Sequence, residues 1–238
     1  MIIKNRLRFL KITYWLRRFY ISKITRLFLP ERFLRKSTFK YIYLSSHWQY
    51  NFKIDKNRSL SGPGSNLDYT GNLTYELLNF FQKNSVRKIL DIGCGDFIWM
   101  NLLLKKYDEY REYLGLDIVD ELIKKNNKKF SSNKISFKSF DLVEDKIPEG
   151  FDIVLVRDVF IHLKNHQIVS FLDKLKKTNI KYLGLTTTPG LKKNNELKTE
   201  GRFRYINVEI EPYNLRKFSL RIKEKNELDF LNIYILNK

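Results

Sequence analysis

Two glycines one residue apart stand in the segment ILDIGCGD at residues 89–96, directly after a short apolar run. Glycine lets the backbone turn sharply and lets a ligand approach exposed N–H groups closely. Gly93 and Gly95 therefore predict a strand end that turns into a helix around a bound ligand. A dinucleotide-binding loop is the first alternative. Its fingerprint has glycine or alanine where this chain has Ile98, which disfavours that class but leaves it open.

Carboxylates end two further strand-like segments. Asp117 closes the segment at 112–118, and Asp141 follows the segment at 134–140. In an open parallel sheet, ligands bind at the carboxyl ends of the strands, where the strand order reverses. A carboxylate at the first place can accept both ribose hydroxyls, and one at the second can accept an adenine amino group. Together they predict the binding of an adenosine without phosphates.

A histidine and an aspartate lie four residues apart in VRDVFIHL at residues 156–163. On a helical turn Asp158 and His162 would share a face, and the carboxylate could orient the imidazole. We predict that His162 is a general base for a hydroxyl group, with Asp158 as its orienter or as a substrate ligand. A structural histidine with a local hydrogen bond is the alternative.

Strand-like and helix-like segments alternate through the region that carries these residues. The strand-like segments are 86–92, 112–118, 134–140, 151–158 and 180–188. One predicted helix follows the first strand and ends at about 106, and two others span 120–130 and 165–177. This alternation predicts right-handed crossovers and a doubly wound sheet. Two closely spaced runs, 215–224 and 229–237, predict an antiparallel hairpin. The predicted fold is α/β, a Rossmann-like sheet of seven strands closed by a hairpin.

The ordered motifs DIGCGD, GLDIV and FDL, with the fourth strand, resemble those of class I S-adenosylmethionine-dependent methyltransferases over residues 86–188. The resemblance implies S-adenosylmethionine as the cofactor. It also implies that the following residues line the cofactor: Gly93, Cys94, Gly95, Asp117, Ile118, Asp141 and Leu142. By the same resemblance Asp91 lies near the amino acid end of the cofactor. Asp96 and Arg157 complete the predicted cofactor set, and Cys94 is interpreted as packing between the glycines rather than as a nucleophile.

Outlying segments resemble a subgroup of bacterial and viral methyltransferases often found near glycosyltransferases. They are SGPGS at 61–65, GDFIWM at 95–100, RDVFIHL at 157–163, LTTT at 185–188 and FRYINV with EPYNL within 203–215. The resemblance implies that Arg204 and Asn207 bind the acceptor, although Phe203 and Tyr205 replace the Trp and Pro of the subgroup motif. It also assigns Ser61, Gly62, Gly64 and Ser65 to the substrate region, closing over the cofactor. An ordinary turn is the alternative for that segment.

The leading functional hypothesis is O-methylation of a sugar or another surface-polymer component, such as a polysaccharide. An RNA or other nucleic-acid methyltransferase is one alternative, and an inactive cofactor-binding subunit is another. Metal dependence is not expected, because TTTPG at 186–190 supplies no carboxylates after the fifth strand. The NPPY signature of base amino methylation is also missing from the fourth strand.

The formal net charge of +19 is concentrated near the start of the chain, where residues 1–40 hold twelve basic side chains and one acidic side chain. We predict three parts, a basic helical arm at 1–40, a cap or substrate segment at 41–85 and a methyltransferase core at 86–238. Residues 2–29 have the period of an amphipathic helix, which could lie on an anionic membrane surface or pack on a protein. With Cys94 as the only cysteine and no run long enough to cross a bilayer, we expect a cytoplasmic protein, peripheral at the inner face of the membrane.

Overall fold

A computed structural model describes residues 29–47, 59–224 and 228–236. The helices are α1 (Glu31–Leu44), α2 (Leu67–Lys83), α3 (Ile98–Lys106), α4 (Asp120–Phe130) and α5 (Asn165–Leu175). The strands are β1 (Lys88–Ile92), β2 (Glu112–Asp117), β3 (Ile135–Ser139), β4 (Ile153–Val156), β5 (Tyr182–Thr187), β6 (Phe218–Lys223) and β7 (Phe230–Ile235). Short 3₁₀ turns at Pro63–Ser65 and Phe160–His162 complete the described elements.

The seven strands form one sheet in the order β3-β2-β1-β4-β5-β7-β6. The first five strands pair in parallel, whereas β7 pairs antiparallel with both β5 and β6. The strand order reverses between β1 and β4, which is where ligands bind in sheets of this kind. The predicted doubly wound fold with an antiparallel hairpin is confirmed.

The central strands are buried because helices cover both faces of the sheet. Every residue of β4 and of β5 is buried, as expected for parallel strands rich in Val, Ile and Leu. Two apolar clusters form the core, one on each face of the sheet. One includes Phe39 of α1 and Phe171 of α5, and the other includes Leu77 of α2 and Leu103 of α3. This two-sided core holds the carboxyl ends of β1, β2 and β4 together in one place.

Helix α1 runs across residue 40, where the sequence placed the boundary between a helical arm and a cap. It begins after Pro30 and buries Arg35, Phe39, Ile42 and Tyr43, which recur at helical spacing. The predicted helix at 2–29 lies outside the described residues except at its last position. Among the described residues no helix is long and apolar enough to span a bilayer.

Candidate active site

A cavity of about 440 Å³ opens where the strand order reverses, at the carboxyl ends of β1, β2 and β4. Its size falls within the range of small-molecule sites, roughly 300–1,000 Å³. The predicted site residues that line it are Ser61, Gly62, Gly64, Ser65, Gly93, Gly95, Asp117, Ile118, Asp141, Leu142, Arg157, Asp158 and His162. One cavity therefore holds most of the predicted cofactor residues together with the predicted base.

The turn after β1 depends on glycine at two positions. Gly93 has a φ of 79° and Gly95 a φ of 56°, a region that side-chain-bearing residues rarely adopt. A Cβ atom at Gly93 would lie 2.2 Å from Cγ2 of Val159, and one at Gly95 would lie 2.3 Å from Oγ of Ser61. The turn therefore has to be narrow, and it brings the backbone close to whatever occupies the cavity.

Asp117 is held at the end of β2 by two backbone donors. The N–H of Gly95 donates to Oδ2 at 3.2 Å, and the N–H of Val119 donates to Oδ1 at 3.0 Å. Burial raises the pKa of Asp117 to about 6 despite these bonds, so the carboxylate is ionised at neutral pH. A fixed carboxylate at this place fits the two hydroxyls of a ribose.

Asp91, Cys94 and Asp96 were predicted to contact the cofactor, and none of them is among the residues that line the cavity. The buried Asp91 accepts the hydroxyl of Tyr113 at 2.7 Å, and burial raises its pKa to about 7. Burial also raises the pKa of the Cys94 thiol well above its ordinary value, which disfavours a reactive thiolate. Asp91 and Asp96 are bonded within the protein, which corrects their predicted place, whereas Gly93 and Gly95 of the same segment line the cavity.

Asp96 instead anchors the segment that covers the cavity. Its carboxylate accepts Oγ of Ser59 at 3.0 Å and the N–H of Leu60 at 2.8 Å, while its own N–H donates to Oγ of Ser61 at 3.0 Å. These three bonds join the turn after β1 to residues 59–65. The segment at 61–65 is therefore a wall of the cavity and not an unattached surface turn.

Arg157 is a buried cation in the same wall. It donates to the carbonyl of Gly64 at 2.9 Å, lies 3.2 Å from Oδ2 of Asp158 and forms an ion pair with Glu224. Burial alone would lower the pKa of Arg157, but Asp158 and Glu224 outweigh it and the pKa is raised. Arg157 therefore stays charged and ties β4 to the covering segment and to the end of β6.

His162 lies in the 3₁₀ turn after β4, and its imidazole is buried in the cavity wall. Its Nδ1 lies 3.1 Å from the carbonyl oxygen of Arg202. A carbonyl only accepts hydrogen bonds, so Nδ1 is the protonated nitrogen and Nε2 carries the lone pair. Burial lowers the pKa of His162, against weaker opposing effects of the Arg202 carbonyl and Asp158. The imidazole is therefore neutral near pH 7 and able to take a proton through Nε2.

Asp158 and His162 do not share the helical turn that was predicted to pair them. Asp158 has a φ of 57°, so it stands outside the short turn that contains His162 and shares no helical face with it. Its carboxylate instead accepts Oγ1 of Thr186 at 3.1 Å and faces Arg157. The backbone carbonyl of Arg202 does the orienting, which no side-chain spacing could have indicated. Asp158 still lines the cavity, where a substrate could contact it.

Arg204 and Asn207, the predicted acceptor ligands, do not line the cavity. Arg204 donates to Oδ1 of Asn165 at 2.6 Å and to the carbonyl of Leu163 at 2.7 Å. Asn207 is buried, and its amide nitrogen donates to the carbonyls of Pro189 and Leu191. Both side chains hold the long connection between β5 and β6 in place, and this corrects the prediction.

The sequence reasoning left six aromatic residues of the cavity unassigned, including Tyr69 and Phe140. Phe39 and Tyr43 reach it from α1, and Phe203 and Tyr205 stand at its rim. The rim pair is exposed, at 57% for Phe203 and 39% for Tyr205, and the two rings meet edge to face with centroids 5.0 Å apart. The helical spacing of buried residues from Arg35 to Tyr43 could have predicted α1. Phe203 and Tyr205 were visible in the sequence only as departures from a family motif.

Comparison with known proteins places this cavity in a known type of domain. A family described as "Methyltransferase domain" matches residues 89–178, from β1 into the end of α5. Residues 89–178 are therefore similar to a methyltransferase domain. The structures of similar fold include one with bound SAH and one with bound SAM, at 12% and 13% identity to this chain.

The individual relatives are distant. Magnesium protoporphyrin IX methyltransferase from Synechocystis PCC 6803 with bound SAH has a TM-score of 0.58 and 12% identity, covering 87% of this chain and 99% of that one. The methyltransferase domain of bacterial CtHen1-CN has a TM-score of 0.54 and 19% identity, covering 70% and 99%. Both establish the fold of the methyltransferase domain.

A curated relative is (S)-coclaurine N-methyltransferase of Thalictrum flavum subsp. glaucum, which is 28% identical over 91 residues. The match covers 37% of this chain and 25% of that enzyme. The chain therefore spans a quarter of the length of this relative. The similarity concerns the methyltransferase domain and does not extend to an acceptor.

Proposed function

We propose that this chain is an S-adenosylmethionine-dependent O-methyltransferase that acts on a sugar or on another surface-polymer component, with His162 as its general base. The observation that carries the proposal is the protonation and the position of His162. This imidazole is neutral, its Nδ1 is bound to a backbone carbonyl, and it lines the same cavity as the glycine turn and Asp117. Methylation of a hydroxyl requires removal of its proton as the new bond forms, and a neutral imidazole can accept that proton.

The residues on the other side of the cavity fit the cofactor. S-adenosylmethionine would supply an electrophilic methyl group on a sulfonium. The backbone of Gly93 and Gly95 would lie against its amino acid part, Asp117 would accept the ribose hydroxyls, and Asp141 would face the adenine amino group. The aromatic residues Phe39 and Tyr43 would provide apolar wall. Positioning of this kind accounts for much of the rate of an in-line displacement.

The rim of the cavity supports a sugar as the acceptor. Phe203 and Tyr205 present two exposed rings at the opening, and aromatic faces pack well against the apolar faces of sugar rings. Asp158 and Thr186, just inside the rim, offer oxygen atoms that can bond to hydroxyls. An apolar surface beside oxygen atoms that accept hydrogen bonds suits a molecule with one apolar face and several hydroxyls.

The acceptor class is tested by incubating the full chain with S-adenosylmethionine labelled in its methyl group. One set of reactions contains a panel of nucleotide-activated hexoses and deoxyhexoses, and a parallel set contains total RNA. We expect label in the sugars as an alkali-stable methyl ether, and loss of the label with His162→Gln. Label in RNA alone would replace this proposal with the nucleic-acid alternative, and label in neither would favour the inactive subunit.

We further propose that the basic residues before α1 bind an anionic membrane surface and keep the enzyme near a membrane-bound acceptor. Basic residues recur through the amphipathic pattern of this segment, at Lys4, Arg8, Lys11, Arg18 and Arg26. Such residues contribute about 1 kcal/mol each near an anionic surface. In flotation assays, the wild-type chain should rise with phosphatidylserine vesicles and not with phosphatidylcholine vesicles. A full-length variant with these five residues changed to glutamine should stay in the soluble fraction, and unchanged flotation would contradict the proposal.

A further inference from the structure

Arg35 of α1 is a fully buried cation beside the cofactor cavity, with 1% of its side chain exposed. Its Nε lies 3.0 Å from both carboxylate oxygens of Asp141, and its Nη2 lies 2.9 Å from Oδ2. Nη2 also donates to Glu144 at 2.7 Å. The two residues are 106 positions apart in the chain, so this contact forms only when α1 docks on the methyltransferase domain.

The contact fixes the orientation of Asp141 and leaves it able to accept one more bond. An ionised carboxylate has about four lone-pair sites. Three N–H groups occupy sites on Asp141, namely Nε and Nη2 of Arg35 and the backbone N–H of Val143, which donates at 2.9 Å. Nε is shared between the two oxygens, so one site becomes available when Nε bonds a single oxygen, and Asp141 lines the cavity. This count matches a carboxylate that is prepared to accept one amino group.

The backbone of the loop at 141–145 has a separate support. Nζ of Lys174 donates to the carbonyls of Leu142, Val143 and Asp145, at 2.9 Å in each case. Removal of Arg35 would therefore leave the path of the loop in place. What Arg35 adds is control over the carboxylate of Asp141.

Stability alone is a poor reason for this arrangement. A buried ion pair is seldom more stabilising than apolar residues of similar volume. Nη1 of Arg35 is buried and makes no hydrogen bond within the described part of the chain, while Oε1 of Glu200 lies 3.9 Å away. A buried unsatisfied donor costs free energy, and a functional role is one of the explanations for such a group.

We propose that Arg35 is a positioning residue that holds the Asp141 carboxylate so that the site selects the adenine amino group of its cofactor. This inference rests on the proposed use of S-adenosylmethionine. It makes α1, which lies outside the family match at 89–178, part of the cofactor specificity of the enzyme.

The test compares two ligands that differ at the recognised group. S-adenosylhomocysteine carries the amino group, and S-inosylhomocysteine carries an oxygen in its place. Their affinities for the full chain are measured by calorimetry, together with thermal unfolding. We expect wild type to prefer the adenosyl ligand by roughly 100-fold or more, because a site built to bond an N–H group rejects analogues that lack it. Arg35→Lys should lower this preference at least tenfold, because a lysine ammonium cannot bond both carboxylate oxygens through a fixed fork.

Two further variants make the result decisive. Arg32→Leu is the matched control, since Arg32 pairs with Asp145 of the same loop from the same helix but is half-exposed, and it should keep the wild-type preference. The double variant R35M/D141L replaces the buried pair by apolar residues, so it should fold even if Arg35→Lys does not, and it should show almost no preference.

The possible outcomes separate the two levels of the proposal. If wild type does not bind S-adenosylhomocysteine, the proposed function itself fails. If wild type binds it but shows no preference, the role of Arg35 is overturned. The same holds if Arg35→Lys or the double variant keeps the full preference, or if Arg35→Lys weakens both ligands by the same factor, because a merely structural residue would behave in that way.

Discussion

The two halves of the cavity are built in different ways. On the cofactor half, Gly93, Gly95 and Asp117 stand within three residues of the strands that position them, and short backbone bonds hold them there. On the acceptor half, His162 depends on a carbonyl 40 positions away, and the rim comes from the long connection between β5 and β6. Gly93, Gly95 and Asp117 are thus held locally at the strand ends, whereas the Arg35–Asp141 contact and the acceptor half require segments distant in sequence to dock together.

This difference separates the expected roles of the two halves. A site at the strand ends can stay the same while the sequence of the long connection changes. We therefore expect the cofactor half to be the part that is shared among methyltransferase domains. The acceptor half is where this chain would differ from relatives with other substrates. Substitutions should therefore divide into those that affect cofactor binding and those that affect transfer alone.

The largest effect should come from His162→Gln, which breaks the acceptor half alone. Glutamine retains an amide donor for the carbonyl of Arg202 but cannot take a proton from the acceptor. We expect the single-turnover rate of methyl transfer to fall by roughly 10²- to 10⁴-fold, with the affinity for S-adenosylhomocysteine unchanged. Rapid-quench assays and calorimetry on the same preparation check both statements.

His166→Gln is the matched control, because His166 is exposed on α5 only four residues further along the chain. It should behave as wild type in both assays. If the two histidine variants transferred methyl groups equally fast, His162 would be a structural residue. The acceptor half would then not contain the general base.

Asp117→Ala should break the cofactor half. Removing the carboxylate deletes the acceptor for two ribose hydroxyls, and hydrogen bonds to a charged group contribute about 1.5–3 kcal/mol each. We expect the affinity for S-adenosylhomocysteine to fall by about 100-fold or more. Asp120→Asn is the control, because Asp120 lies three residues away but pairs with Lys36 on the surface. Equal affinities of both variants would show that Asp117 does not contact the cofactor.

The pH dependence of cofactor binding should sharpen the assignment of Asp117. Burial raises its pKa to about 6, so the ionised form that accepts two hydroxyls predominates only above that pH. Affinity for S-adenosylhomocysteine should therefore decrease as the pH falls through about 6, by up to about tenfold for each pH unit. Asp117→Asn should bind weakly at all pH values and lose this dependence. A titration from neutral to acidic pH that leaves wild-type affinity constant would contradict the assignment.

The smallest effect should come from Phe203→Ala at the rim. Loss of one exposed ring from the acceptor platform should raise the KM for the acceptor by roughly 3- to 10-fold, the amount expected for one aromatic contact. The kcat and the affinity for S-adenosylhomocysteine should stay near wild type. Tyr75→Ala, an exposed aromatic on α2 outside the cavity, serves as the control. A change in cofactor affinity would show that the rim is not confined to the acceptor half.

The same division explains how much the sequence could predict. The strands, the order of the motifs and the positions of Gly93, Gly95 and Asp117 follow from local patterns, because glycine turns and strand-end carboxylates need only their neighbours in sequence. Even there, Asp91 and Asp96 were misplaced, since spacing does not reveal whether a side chain faces the ligand or the core. Family resemblance implied Arg204 and Asn207 for the acceptor, but Arg204 bonds to Leu163 and Asn165, and Asn207 bonds within the long connection.

The features that sequence reasoning missed share a physical origin. The bond from His162 goes to a backbone carbonyl, which has no residue signature, and the Arg35–Asp141 contact joins parts of the chain 106 residues apart. Contacts of that kind depend on how separate segments pack, and no single-sequence pattern records them. Charge offered one usable signal, because a lone arginine on the apolar face of a helix requires a buried acid.

The S-adenosylmethionine site is tested most directly by titrating the full wild-type chain with S-adenosylhomocysteine and, separately, with NAD⁺ in a calorimeter. We predict binding of one S-adenosylhomocysteine per chain with roughly micromolar affinity, and no measurable binding of NAD⁺. Saturable binding of NAD⁺ with no heat from S-adenosylhomocysteine would contradict the assignment. The glycine turn after β1 would then be a dinucleotide-binding loop.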